Sequence, residues 1–353
     1  MEAVSPSSSP CEALSSPVGH AGLAPHPSSH VPGGLRLRML PLFGVLFLAL
    51  GSCKSATAPT TAGRVAYVTN YSSGTVSVID VASETVTNTV TVGNWPAGVA
   101  FTPDGDMAYV AIDNGSVLVI DVASGAVTNT ITVGHGPRGV AFTPDGTSAY
   151  VTNFTDNSVS VINVASGTVA STIPVGNEPQ RVAFTPDGTS AYVTNFTDNS
   201  VSVIGVASGT VTSTIPVGSN PLGVAVTPDG TTAYVTNWRD GSVSAIDVAS
   251  GTVTSTIPVG SMPYGVAVTP DGTTAYVANA GVTSVSVINV ASGTVTSTVQ
   301  VGDGPGGIAV TPDGTTAYVT ESIDNSVSVI DVASGTVRAT IPVGNGPGEV
   351  AIQ

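Results

Sequence analysis

The chain has 353 residues with 41 Gly, 25 Pro and two Cys; only 9% of residues are charged, the net charge is -15 and the pI is near 4.2. An acidic chain without clustered Lys and Arg is a poor phosphate binder, which disfavours nucleic acid as a partner. Both cysteines, Cys11 and Cys53, precede the repetitive body, so that body has no disulfide and no cysteine-ligated metal or haem.

Residues 1–34 are rich in Ser, Pro, Gly and Ala and lack apolar periodicity. They read as a disordered extension, or as the product of a start codon assigned too early. Arg36 and Arg38 then precede the apolar run Met39–Leu50, which is too short for a membrane-spanning helix of about 20 residues. A basic flank with a short apolar core has the form of a secretory signal, here residues 35–53. The run ends Leu50-Gly51-Ser52-Cys53, which resembles a bacterial lipoprotein lipobox, although Gly51 is a less common residue at its place. The resemblance implies lipidation of Cys53 and an extracytoplasmic, membrane-anchored protein of the periplasm or cell surface. The plainer alternative is an ordinary cleaved signal with Cys53 incidental. Residues 54–63 form a short tether.

From residue 64 to 353 one unit recurs seven times, marked by Tyr67, Tyr109, Tyr150, Tyr192, Tyr234, Tyr276 and Tyr318. A period of about 42 residues signals a repeat architecture. The unit Leu222–Pro263 contains four alternating apolar runs: GVAVT, TAYVTN, SVSAIDV and TVTSTIPV. Asp229-Gly230, Asp240-Gly241 and Ser250-Gly251 separate them, as tight antiparallel turns require. The predicted fold class is all-β, a seven-bladed β-propeller of four-stranded antiparallel blades. A parallel β-helix is the structural rival, but its coils are shorter and do not reverse direction three times per repeat. The strands are designated A to D, from the central channel outward. Pro174, Pro216, Pro258 and Pro342 place the fourth run at the outer edge, because proline cannot donate to a ladder. The first unit enters at strand B (64–70) and the chain ends on a lone strand A (349–353). The C-terminal strand is therefore predicted to complete the first blade and close the ring.

Tyr67–Asn70, Tyr150–Asn153, Tyr192–Asn195 and Tyr234–Asn237 read YVTN. With TPDGTTAY and VIDVASGT, these segments resemble the YVTN-family β-propeller repeat proteins across residues 64–353. Ala111-Ile112, Ala278 and Glu321 depart from the pattern. The resemblance implies a seven-bladed propeller that is exported or surface-borne. Related propellers include lactonases, redox-enzyme subunits and binding or surface-layer proteins, so the fold alone selects no activity.

Six A–B turns read Thr-Pro-Asp-Gly, and the C–D turns are equally uniform. One Asp per turn is predicted to brace the turn; it is far short of a calcium shell. The B–C and D–A loops on the opposite face diverge. They carry Trp95, Arg138, Arg181, Trp238, Arg239 and Tyr264, residue types enriched at binding sites. Tyr71 lies there too, and Phe154 and Phe196 are expected to pack over the blade tops. Two positions after each D–A proline stands a glycine: Gly98, Gly139, Gly223, Gly265 and Gly307. Arg181 and Glu349 break that rule. They are predicted to lie nearly opposite across the channel mouth and to help recognise a polar ligand.

The repeats hold one histidine, His135, whose nearest orienting carboxylate by sequence is Glu178. A lone loop histidine is ordinarily solvated, so the two form only a thin catalytic inventory. Residues 302–307 (GDGPGG) lack the following helix that a phosphate site needs. No metal or cofactor is expected. The sequence points first to an interaction module, anchored through Cys53, that holds a protein, glycan or small molecule on its divergent face. The alternative is a hydrolase or lyase of the lactonase kind, with His135, Glu178, Arg138 and Arg181 around the channel mouth.

Overall fold

A computed structural model describes residues 63–353. The expectations for the N-terminal extension, the signal, Cys53 and nearly all of the tether lie outside the described residues. Seven four-stranded sheets, each antiparallel, form the blades of a β-propeller. Strand A of blade one is Pro347–Ile352, paired with Val65–Asn70 through Ala66↔Ile352, Tyr67↔Ala351 and Val68↔Val350. The two ends of the repeat region thus share one blade, as the odd strand at each end requires.

The core lies between blades. Tyr234, Val243 and Ile257 of blade five pack against Val266, Val277 and Ile288 of blade six in one buried cluster. Each B strand is covered on both faces, which is why the TAYVTN run is buried from its second residue onward. The repeating tyrosine is an inter-blade wedge: Tyr67, Tyr109 and Tyr150 meet Phe101, Phe142 and Phe184 of the next blade edge-on at 4.8–4.9 Å. The D strands lie at the outer edge and expose Thr and Ser, and proline ends four of the seven there.

The threonine of YVTN staples blades together. Each A strand shifts register after its proline, freeing one backbone N–H. Thr194 Oγ1 accepts the Arg181 N–H at 3.1 Å and donates to the Leu222 carbonyl of the next blade at 2.7 Å. Thr236 repeats this with Gly223 and Tyr264, both contacts near 2.8 Å, and Thr69 does so with Glu349 and Ala97. The asparagine that follows donates to two serines of strand C, as Asn237 does to Ser242 and Ser244. Glu321, at the asparagine position of blade seven, is buried and instead accepts from Ser326, Ser328 and the Gly302 N–H.

The turn aspartates brace their turns. Asp145 Oδ1 accepts the Thr143 hydroxyl at 2.6 Å and the Thr147 N–H at 3.0 Å. These bonds hold its carboxyl below the usual carboxylate range, with the Thr143 hydroxyl contributing most.

Candidate functional site

The glycine rule at the channel mouth has a steric cause. A Cβ on Gly98 would lie 2.2 Å from the Arg138 carbonyl oxygen, and one on Gly223 would lie 2.5 Å from that of Tyr264. Neighbouring A strands approach so closely there that five of the seven positions carry no side chain. Arg181 and Glu349 occupy the other two, on A strands three blades apart in the ring of seven.

The two side chains reach across the channel and meet, Arg181 Nη2 to Glu349 Oε2 at 2.6 Å, with side-chain exposures of 17% and 19%. The guanidinium also lies 5.7 Å from the centroid of the Tyr264 ring, and Nη2 is 3.4 Å from the Tyr264 hydroxyl. Burial works against the charged guanidinium, but Glu349 and Tyr264 together outweigh it. The Arg181 pKa is raised above its already high ordinary value, so the cation is permanent.

Arg181 lies at the floor of a bowl of about 690 Å³ on the divergent face, whose wall includes Tyr71, Arg138, Phe154, Trp238, Met262 and Tyr264; Glu349 lines the narrower channel beneath it. Beneath it the channel narrows to a void of about 140 Å³, ringed by Val99, Val140, Val182, Val224 and Val266. Arg138 stands on the wall with its guanidinium 5.4 Å from the Phe154 centroid and 3.7 Å from Asp113.

Of the sequence-derived candidates, Arg138, Arg181, Trp238, Tyr264 and Glu349 line this channel mouth. Trp95 lies at the rim, half exposed and stacked on Tyr71 at 6.4 Å. Arg239 faces a separate outer groove alongside Trp238. Phe196 packs on Trp238 at 6.3 Å, as expected of a packing residue, whereas Phe154 belongs to the bowl wall.

The proposed partnership of His135 with Glu178 is corrected. His135 Nδ1 lies 3.1 Å from Asp156, and Glu178 accepts the Thr197 hydroxyl instead. His135 is 82% exposed at its side chain and is not part of the bowl wall. Its carboxylate partner serves a repeated turn. Asp156 accepts the His135 backbone N–H at 2.8 Å, as Asp198 accepts that of Asn177 and Asp240 that of Ser219. Asp156 is thus the carboxylate that sequence spacing missed; the signal for it was the recurrent Asp of the B–C loop. His135 stands at a bracket position that other blades fill with Asn, Ser or Asp, and nothing aims it at the channel. Among the described residues no cluster of three or more His, Cys, Asp or Glu side chains is arranged to hold a metal ion.

Residues 51–268 match the family described as lactonase, 7-bladed beta-propeller. Among solved structures, hydrazine synthase of Kuenenia stuttgartiensis superposes with a TM-score of 0.71 at 26% identity, covering 76% of this chain and 92% of that one. The periplasmic gluconolactonase PpgL of Pseudomonas aeruginosa gives 0.70 at 20% identity, over 82% and 98% of the two chains. A putative 6-phosphogluconolactonase of Bacteroides uniformis gives 0.69 at 18% identity, over 82% and 99%. The last two likenesses establish the fold alone. Comparison with curated proteins returns no match.

Proposed function

The chain belongs to the lactonase family of seven-bladed β-propellers, and from that premise we propose that it hydrolyses a lactone at the channel mouth, with Arg181, Glu349 and Tyr264 as the working groups. The observation that carries this reading is the ion pair itself. Two side chains stand where the scaffold otherwise demands glycine, and both turn inward to one point where the open bowl gives way to the narrow channel.

A lactone is a cyclic ester. Its hydrolysis needs a cation or donor for the oxyanion and a base for the attacking water. When substrate enters, the pair parts. The Arg181 guanidinium takes the carbonyl oxygen, and the Tyr264 hydroxyl stands beside it as a second donor. Glu349 accepts a proton from water as the water oxygen bonds to the carbonyl carbon. Collapse of the tetrahedral adduct breaks the ring C–O bond, and the departing alkoxide takes that proton from Glu349. The product is the open-chain hydroxy acid, which ionises at neutral pH and releases one proton to solvent.

Proton release from γ- and δ-lactones measures this directly. Glu349→Gln keeps the side-chain shape and removes the base, and should lower kcat by about 10²–10⁴-fold. Wild-type turnover in that variant would remove Glu349 from the chemistry.

The Tyr71–Trp95 stack favours a second reading. It is half exposed and lies at the rim, where a small lactone on the floor would not touch it. A face that also holds a protein or glycan would use it. Export and anchoring through Cys53 belong to the same proposal. Loss of membrane association in Cys53→Ala is the expected outcome, and unchanged fractionation would sink the anchor.

A further inference from the structure

The bowl wall differs sharply from its floor. The floor presents the Arg181 cation and the Tyr264 phenol, with the Glu349 carboxylate against Arg181 in the narrow channel just below. The wall presents mainly flat or flexible apolar surface: Tyr71, Phe154, Trp238, Met262, Ala280 and Pro305. Its polar side chains other than the aromatic ones are Ser72, Arg138, Gln180 and Ser322, and two of these are engaged. The Ser322 hydroxyl donates to the Gly304 carbonyl at 3.0 Å, and Arg138 is held by Asp113 and Phe154. Tyr264 borders both regions, lining the bowl and the channel below it. Met262 is 42% exposed although apolar, so surface there awaits a cover.

A void of about 690 Å³ falls within the roughly 300–1,000 Å³ range of sites for drug-sized ligands, far more than one lactone ring fills. A polyhydroxylated ring pressed against this wall would leave hydroxyls without partners, and each unpaired group costs binding. An apolar arm would gain from the same contact.

We infer that the lactone taken by this site carries an apolar arm, an alkyl chain of several carbons or an aryl ring, that runs up the bowl wall while the ester sits on Arg181. This rests on the hydrolase reading for the head group but stands on separate residues for the arm. The product is then an amphiphilic hydroxy acid, whose carboxylate leaves from Arg181.

The test is a series of γ-lactones bearing alkyl arms of increasing length, an aryl-substituted member, and gluconolactone as the polyhydroxylated comparison. The same arms on non-hydrolysable lactams report binding through Trp238 fluorescence in a Trp95→Phe background. The unmutated protein should show kcat/KM rising about threefold per methylene until the arm clears the rim. Gluconolactone should be the poorest substrate, and Tyr71→Ser with Met262→Gln should roughly halve the dependence on chain length. Hydrolysis with a flat chain-length profile, or with gluconolactone preferred, overturns the inference and leaves the hydrolase reading intact. Lactam affinity that rises with chain length, without turnover of any lactone, does the reverse. Neither binding nor turnover overturns both.

Discussion

Gly98→Ala tests the steric rule that makes the channel mouth readable. A single added carbon would sit 2.2 Å from the Arg138 carbonyl oxygen and 3.2 Å from Gly139 Cα. Both obstacles are backbone, held in place by strand pairing and by the threonine staples of adjacent blades. Relief therefore requires two A strands to separate by about 1 Å, since no rotamer change helps. Overpacking costs about 1–3 kcal/mol, and an obstacle made of backbone belongs at the upper end. For a domain of this size each kcal/mol lowers the melting temperature by about 2–4 °C, so a fall of roughly 6–12 °C is expected. Gly348→Ala is the matched control. It lies one residue before Glu349, and a Cβ there meets nothing closer than the Thr69 hydroxyl at 3.5 Å. Thermal unfolding of the two variants by circular dichroism gives the answer. Equal melting temperatures would refute the idea that close approach of neighbouring strands enforces the glycine.

Thr194→Val removes the bridge between the Arg181 N–H and the Leu222 carbonyl. It should destabilise by about 1–3 kcal/mol on chemical denaturation and lower lactone turnover, because Arg181 loses its backbone anchor. Removal of residues 347–353 deletes the inner strand of blade one and the partner of Val68. The shortened protein should melt well over 10 °C lower or fail to refold, consistent with a domain whose cores lie between blades. Acid sensitivity follows from the turn aspartates. Asp104, Asp187 and Asp271 have folded pKa values held below their ordinary values, chiefly by the threonine hydroxyl. Their contribution is full above the unfolded carboxylate range and is lost as pH falls below about 4 through the folded values. Melting temperature should hold steady from pH 7 to 5 and drop below 4; a decline already complete at pH 5 would contradict this origin.

The blades were legible because one unit is written seven times and every strand alternates. The outer edge was legible from Pro174, Pro216, Pro258 and Pro342, and the closure from an unpaired strand at each end of the repeats. At the mouth, the lapse of glycine at Arg181 and Glu349 located the two positions. Their meeting at 2.6 Å was beyond sequence reasoning, because it depends on the diameter and angular spacing of a closed ring. Tyr264, on a third strand, reaches Arg181 for the same reason. The pairing of His135 was misjudged because Asp156 lies in a loop shared by several blades, where its bracing role looks like background. Phe154 was read as packing because its FTDN loop recurs at Phe196. The two copies diverge in use: Arg138 lies over Phe154, whereas Phe196 packs on Trp238.

The central claim is that Arg181 and Glu349 are kept for chemistry and contribute little to the scaffold. Replacing both with glycine restores the rule obeyed at Gly98, Gly139, Gly223, Gly265 and Gly307. An ion pair desolvated at this depth adds little net stability, so the Arg181→Gly, Glu349→Gly double variant should melt within a few degrees of the parent. The decisive measurement is lactone hydrolysis by that variant, followed as proton release on protein shown to be folded. Loss of turnover with the fold intact is the expected result. Turnover at the parent rate would contradict the assignment of the site.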